Sequence, residues 1–240
     1  MFRDWILAHN RTDVDSYRNL KRAIGILGML LPIACILGGT MIAGIPVQNS
    51  ISHYYHTNMR DVLVGLLGCA AIMFMTYSGY GLVDNLFTWA IGLAGAGVVV
   101  FPCPTYPQVD AAPVGIFQLA QRTSGPVHFG CAIAFFVLLA ANSIFLFTIS
   151  RKKVPGGRKR VRNGIYLGSG LMIVASLIVL LVAWIAARDF FENSAIALVF
   201  ETVMLLAFGV AWLVKGGLRW TDDAPVERRA AGRKTSRKRR

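Results

Sequence analysis

The sequence contains few charged residues and few cysteines. Charged residues make up 15% of the 240 positions and only four residues are cysteine, whereas a soluble domain carries about 25% charged residues. The size and the cysteine count exclude a small secreted domain held together by disulfides. No long polar tract interrupts the chain away from its two ends, which excludes a disordered protein. These absences argue against a soluble enzyme.

The chain instead contains six long apolar runs, and 55% of its residues are apolar. A run of about 18 or more apolar residues is long enough for a transmembrane helix, and these runs do not alternate with the period of two that barrel strands require. We therefore predict an all-α polytopic membrane protein with six transmembrane helices in a domain over residues 23–216. The predicted spans are 23–47, 61–82, 86–103, 127–149, 165–187 and 194–214.

The segments outside the predicted spans are polar. Residues 1–22 carry mixed charge, and the basic tail over residues 217–240 has the composition of a disordered segment. The pair Asp84-Asn85 predicts a tight turn between the second and third spans, and residues 105–126 predict the longest loop. The first apolar run is longer than the 7–15 residues or so of a signal-peptide core, so we expect it to be a retained anchor.

The net charge of +13 is concentrated on one predicted side of the membrane. Of the 25 Lys and Arg residues, 22 fall in residues 1–22, in the connection 151–162 or in the tail from Lys215. Basic residues mark the cytoplasmic side, so we predict that both termini are cytoplasmic in a bacterial inner membrane. We expect these basic segments to attract anionic lipid headgroups and not to bind nucleic acid.

Polar side chains that could take part in catalysis or binding lie on the opposite predicted side of the membrane. The candidate catalytic residues are His53, His56, Asp61, His128 and Glu201. Glu201 lies about two turns inside the last span, where a carboxylate costs about 2.5–3.5 kcal/mol unless it meets a partner or a wet cavity. We therefore predict an outward-facing pocket that binds, and in one version modifies, a lipid headgroup.

Two chemistries remain open for such a pocket. The three imidazoles could hold a divalent metal such as zinc, with Asp61 or Glu201 as fourth ligand or as base toward a bound water. Alternatively, a neutral histidine paired with Asp61 could act as general base without a metal. The enzyme would then be a lipid-acting hydrolase or transferase. The candidate headgroup-binding residues are Ser52, Arg60 and Arg188.

A hypothesis from a different class uses the same residues. The polar cluster could be a structural hydrogen-bond network in a non-catalytic sensor, transporter or assembly factor. Cys103 and Cys131 both lie near the outer ends of predicted spans, so they could form a disulfide in an oxidising compartment or serve as two buried small side chains.

Several motifs resemble a known family. The segment from Ser50 to Gly65 (SISHYYHTNMRDVLVG), the motif Tyr77-Ser-Gly-Tyr-Gly, Phe200-Glu-Thr-Val and the segment Phe208 to Gly216 (FGVAWLVKG) resemble a bacterial family of six-span membrane proteins catalogued as a domain of unknown function. More distantly, Ser50-Ile-Ser, His128-Phe-Gly and Glu201 are similar to the DRAM/Sfk-type six-span proteins, which are linked to autophagy modulation, lipid organisation and lipid-anchor remodelling. The resemblance to the bacterial family covers roughly residues 20–216, and the similarity to the DRAM/Sfk-type proteins implies a lipid-facing role.

Overall fold

The protein is described by a computed structural model that covers residues 2–79, 81–105, 115–149 and 157–217. Within these ranges it is helical and contains no β-strand, which confirms the all-α prediction. The helices are α1 (Phe2–Leu37), α2 (Arg60–Thr76), α3 (Leu82–Val100), α4 (Gln121–Ala141), α5 (Gly157–Ala186), α6 (Arg188–Asn193) and α7 (Ile196–Lys215). A π-turn extends α1 over Gly38–Ile42 and α4 over Asn142–Leu146, and a short 3₁₀ helix covers Ser52–His56.

Five helical segments are long and apolar enough to cross a membrane. They are Asp15–Ile42, Leu82–Val100, Gln121–Leu146, Gly157–Ala186 and Ile196–Lys215. The predicted span 61–82 corresponds to α2, which has 17 residues and is therefore about 26 Å long at 1.5 Å per residue. This length is slightly less than the bilayer core of about 30 Å.

Several helix ends differ from the predicted boundaries. Helix α1 begins at Phe2 rather than near residue 23, α4 begins at Gln121 rather than at 127, and α5 begins at Gly157, inside the predicted basic connection. Hydropathy marks only the apolar part of a helix, whereas backbone hydrogen bonding continues into flanking polar residues. The tail from residue 218 and loop residues 106–114 and 150–156 lie outside the described residues.

The predicted turn at Asp84-Asn85 is wrong. Both residues lie in the first turn of α3, which begins at Leu82, whereas α2 ends at Thr76. The sequence between the two helices contains Gly79 and Gly81, and glycine disfavours a helix. An acid such as Asp84 is favoured in the first turn, near the positive end of the helix dipole.

The six long helices pack side by side in a closed ring. Each contacts its neighbour in the order α1, α2, α3, α4, α5 and α7, and α7 packs against α1 again. Large apolar side chains such as Ile72, Leu93 and Ile133 face outward, whereas Phe74, which has no exposed surface, lies inside. An apolar outer surface on all sides is typical of a bundle that is embedded in lipid.

Successive helices run in opposite directions, so the ring has two distinct ends. At one end, which we call the pocket end, the backbone N–H of Leu198 donates to the carbonyl of Asn49 at 2.9 Å. At the other end, which we call the basic end, Arg22 Nε donates to the carbonyl of Gly216 at 3.1 Å. The predicted histidines all belong to the pocket end: His53 and His56 lie in the 3₁₀ helix Ser52–His56, and His128 lies near the start of α4.

Candidate functional site

A small cavity opens at the pocket end of the bundle. The space open to water is about 60 Å³, which is room for several molecules since one water needs roughly 10–15 Å³. Its polar lining consists of Asn49, Ser50, Ser52, His53, Cys103, His128, Glu192 and Glu201. Its apolar lining consists of Phe129, Ala132, Phe191 and Ala197. The lining of the cavity thus contains carboxylates, imidazoles and aromatic rings.

Glu201 holds the loop before α2 against α7. The hydroxyl of Ser50 lies 2.9 and 2.8 Å from its two carboxylate oxygens, and the backbone N–H of Ile51 donates to Oε2 at 2.7 Å. The backbone N–H of Ser52 in turn donates to Ser50 Oγ at 3.1 Å. The expectation that an acid at this depth must have partners is confirmed, and these donors account for its burial.

The second carboxylate of the cavity, Glu192, connects it to Arg188. Arg188 Nε donates to Glu192 Oε1 at 2.8 Å, and the guanidinium lies 5.8 Å from the centre of the Trp184 ring. Asn49 Nδ2 donates to the carbonyl of Glu192 at 2.9 Å. Arg188 therefore does not line the cavity, but it forms an ion pair with Glu192, which does.

The three predicted histidines all bind one extended segment, residues 101–104, which follows α3. His128 Nδ1 donates to the carbonyl of Phe101 at 2.7 Å and His56 Nε2 donates to that of Cys103 at 2.7 Å. His53 is hydrogen-bonded to the carbonyl of Pro104. The remaining carbonyl of the segment, that of Pro102, accepts from the hydroxyl of Ser124 at 2.8 Å. Four consecutive carbonyls are thus bound by side chains.

These bonds fix the state of the imidazoles. A carbonyl only accepts, so Nδ1 of His128 carries a hydrogen, and in the neutral ring Nε2 holds the lone pair. Burial lowers the pKa of His53 to about 4, helped by His56 and His128 and opposed by the carbonyl of Pro104. His53 is therefore neutral near pH 7.

Cys103 is a buried member of the site that the sequence did not single out as functional. Its Sγ donates to the carbonyl of Ser52 at 3.1 Å. Burial raises the pKa of this thiol, and the Glu201 carboxylate raises it further, so the thiol stays protonated and unreactive. Cys103 and Cys131 are both free thiols in the structure. Of the two alternatives for this pair, the structure therefore has separate small side chains and no disulfide.

Besides Arg188, three predicted residues lie outside the cavity. The Asp61 side chain is 97% exposed, in the first turn of α2, where the helix dipole favours an acid. Arg60 lies 4.0 Å from Asp61 and 5.7 Å from the centre of the Tyr55 ring. His56 also does not line the cavity, because it is engaged with Cys103. This geometry supports neither a general base made of a histidine paired with Asp61 nor the binding of a headgroup by Arg60.

The three-histidine metal set does not form either. Over residues 2–79, 81–105, 115–149 and 157–217, no group of three or more His, Cys, Asp and Glu side chains is placed to hold a metal ion. Each imidazole donates to a different carbonyl of residues 101–104, and the three rings are not placed together as ligands of one ion. The residues do not fit a zinc centre, and no chemistry through a metal follows from them.

The structure therefore brings together Ser52, His53, His128 and Glu201 of the predicted residues and adds others. Sequence reasoning did not assign Asn49, Cys103 or Glu192 to the site. One signal was present, because a Pro-x-Pro segment such as 102–104 cannot form a helix and leaves carbonyls that need donors. Comparison with known protein families, with characterised proteins and with solved structures finds no match.

Proposed function

We propose that the protein is a six-span protein of the bacterial inner membrane whose outward-facing cavity binds the polar headgroup of a lipid. The observation that carries this proposal is the composition of the cavity. Glu201, His53 and His128 line the same cavity as Phe129 and Phe191, so a polar group and the start of an apolar chain can be bound in one site. The similarity to the DRAM/Sfk-type six-span proteins also implies a lipid-facing role.

Helix lengths and charge support the six-span part of the proposal. Helix α2 fills its place in the ring between α1 and α3, and a span of about 26 Å is accommodated by modest thinning of the bilayer. The bias of 22 basic residues toward one side supports cytoplasmic termini. The cavity then opens to the outer leaflet.

The lining indicates which headgroup chemistry suits the cavity. It contains two carboxylates, Glu192 and Glu201, and no Lys or Arg among the described residues. Arg188 is already bound to Glu192. Acceptor groups of this kind favour a headgroup that donates hydrogen bonds, such as an amine or a polyol, over a bare phosphate.

Lipid binding is tested with a variant that fills the cavity and a control variant on the exposed face of the same helix. Ala132→Phe fills the cavity, and Ala134→Phe adds the same ring to the same helix on its exposed face. Each protein would be purified in mild detergent, incubated with phosphatidylethanolamine, and examined by native mass spectrometry for retained lipid. We expect Ala134→Phe to match the wild type and Ala132→Phe to lose about tenfold in affinity, equivalent to roughly 1.4 kcal/mol. Equal retention by all three proteins would overturn the proposal.

A hydrolase or transferase activity would depend on His128. With Nδ1 bound to Phe101, the lone pair on Nε2 is the basic atom that could take a proton from a bound hydroxyl. The test compares the lipid profile of a deletion strain complemented with wild type or with His128→Asn. A profile that changes only with the wild type supports catalysis, and identical profiles exclude it.

One observation favours the non-catalytic alternative, in which the cluster is structural. Glu201 accepts from Ser50 and Ile51, and each histidine donates to the backbone. In that case Ala132→Phe would leave lipid retention unchanged, whereas loss of Glu201 lowers the unfolding temperature under either hypothesis. Lipid retention is therefore the readout that separates the hypotheses.

A further inference from the structure

Five aromatic rings form a continuous row across the basic end of the bundle, remote from the cavity. In spatial order they are Tyr17, Tyr77, Trp212, Phe147 and Tyr166. Successive ring centres are separated by 5.3, 5.3, 5.2 and 5.2 Å. The last four are at most 2% exposed. The row therefore forms a rigid floor that extends from α1 to α5.

Lys21 lies at one end of this row. Its ammonium group is 4.1 Å from the centre of the Tyr17 ring and 5.9 Å from that of Tyr77. Lys21 is only 6% exposed, which is rare for a lysine. Aromatic faces attract a cation but carry no net charge.

Two further lysines lie at the other end. Lys215 Nζ is 4.5 Å from the centre of the Phe147 ring and 6.0 Å from that of Tyr166. Lys159 Nζ is 5.8 Å from the same Tyr166 centre and donates to the carbonyl of Phe147 at 3.1 Å. Both ammonium groups thus share one ring.

Among the residues that the structure describes, cations outnumber acids around Lys215. It is within electrostatic range of Lys21, Lys159 and Arg162 and, in that part of the chain, of one acid, Asp84. Like charges that are held together in a poorly hydrated region repel, and an anion placed among them removes the repulsion.

The floor also offers a hydrogen-bond donor. Trp212 is fully buried, and its Nε1 has no hydrogen-bond partner in the part of the chain that the structure describes. An indole N–H can only donate, and Trp212 is three residues from Lys215, on the same face of α7. A buried donor in the middle of the row, with lysines at both ends of it, is suited to an anion.

We propose that this end of the bundle binds a phosphate group, with Lys21, Lys159 and Lys215 supplying the positive charge and Trp212 the floor. The site is separate from the cavity at the opposite end and does not depend on the function proposed for it. The phosphate could belong to an anionic lipid headgroup or be free in solution, because both present the same oxygens to the lysines.

Thermal unfolding of the full chain in neutral detergent tests the proposal. The additions are dioctanoyl phosphatidic acid, dioctanoyl phosphatidylcholine, and inorganic phosphate at matched ionic strength. A ligand that binds only the folded state raises the unfolding temperature. We expect phosphatidic acid to raise it and phosphatidylcholine to leave it unchanged. An equal rise with inorganic phosphate would assign the site to free phosphate, and no rise with either phosphate would overturn the proposal.

Variants locate the response. Lys21→Met and Lys215→Met keep the apolar stem and should weaken the binding of phosphatidic acid by about tenfold each, a loss of roughly 1.4 kcal/mol. Lys215→Arg keeps the charge and should keep the response. Arg60→Met removes a cation from an aromatic face at the pocket end and should change nothing.

The basic loop provides the last control. Replacing Arg151, Lys152 and Lys153 by Gln removes three charges from the sequence between α4 and α5 and leaves the five rings and three lysines of the proposed site unchanged. If the response disappears in this variant and persists in Lys21→Met and Lys215→Met, binding belongs to the loop and the proposed site is overturned. If Lys21→Met and Lys215→Met do not fold, the wild type is compared with Lys215→Arg and with the loop variant. That comparison still decides whether the phosphate binds at the aromatic row or at the basic loop.

Discussion

At the scale of single residues, Glu201 joins the last long helix to the loop before α2. Its carboxylate accepts from the hydroxyl of Ser50 and from the N–H of Ile51. A buried donor that loses its acceptor costs about 1–3 kcal/mol. The strength of this connection can therefore be measured by removing one side of it.

We predict that Glu201→Ala lowers the free energy of unfolding by about 2–4 kcal/mol, because two donors lose their acceptor. Glu201→Gln keeps one acceptor oxygen and should cost less than half as much. Thermal unfolding in detergent measures both variants. The matched control is Glu192→Gln, whose carboxylate pairs with a partly exposed arginine. Equal losses for Glu201→Ala and Glu192→Gln would contradict the special role of Glu201.

His53 makes stability depend on pH. Burial holds its pKa at about 4 in the folded protein, below the unfolded value of about 6.5. The unfolded chain therefore binds the proton first as pH falls. We predict that His53 contributes its full stability above pH 6.5 and loses about 3 kcal/mol of it between pH 6.5 and pH 4.

The measurement is the unfolding temperature of the wild type and of His53→Gln at pH 7.5, 6 and 4.5. The difference between the two proteins should shrink as pH falls, since other titrating groups are common to both. A difference that stays constant with pH would show that His53 is not buried as a neutral ring.

At the scale of helices, α1 and α7 approach each other through glycine. A Cβ atom built on Gly25 would lie 2.9 Å from both the Gly209 carbonyl oxygen and the Leu213 nitrogen, and one on Gly209 would lie 2.8 Å from the Gly25 carbonyl oxygen. These contacts are with backbone, which cannot move away without separating the two helices. Small residues are common where membrane helices pack closely.

We predict that Gly25→Ala and Gly209→Ala each destabilise the protein by about 1–3 kcal/mol through overpacking. The control is Gly65→Ala on α2, where a Cβ would meet nothing within 4 Å. That variant should be neutral or stabilising by up to about 1 kcal/mol, since alanine favours helix. Thermal unfolding in one detergent compares all three, and a harmless Gly25→Ala would contradict the close approach.

Much of this helical arrangement could be predicted from the sequence. The apolar runs located every long helix because a bilayer demands a minimum apolar length, and α7 differs by only two residues at its start. The prediction of turns was less accurate, because aspartate is common both in tight turns and in the first turn of a helix, where Asp84 lies. Hydropathy also gave no information on where α1 and α5 extend beyond the membrane.

The site was predictable only in part, for a different physical reason. Burial of Glu201 required a partner, and the polar residues of the first loop supplied it. The partners of the histidines are backbone carbonyls, which every residue possesses, so no side-chain pattern identifies them. This is why His56 was assigned to the pocket and Cys103 was not.

At the scale of the whole molecule, the two ends of the ring carry different chemistry. The pocket end holds carboxylates and imidazoles, and the basic end holds lysines over aromatic rings. If the chain crosses the membrane six times, the two ends face opposite compartments. Accessibility to a reagent that does not cross membranes distinguishes them.

We predict that a cysteine introduced at the exposed position Asn58 is labelled by an impermeant maleimide in intact cells. A cysteine at Ser236 in the tail should be labelled only after lysis. Both variants would be made in a background without the four native cysteines. Labelling of both positions in intact cells would indicate an odd number of crossings, and labelling of Ser236 alone would reverse the orientation.

The four side chains that bind carbonyls 101–104 come from two parts of the chain: His53 and His56 precede the segment, whereas Ser124 and His128 follow it. No helical hairpin leaving the ribosome possesses all of them at once. The hydrogen bonds around residues 101–104 can therefore be complete only after α4 has been synthesised. Until then the carbonyls of Phe101 and Pro102 lack the side chains that bind them in the folded protein.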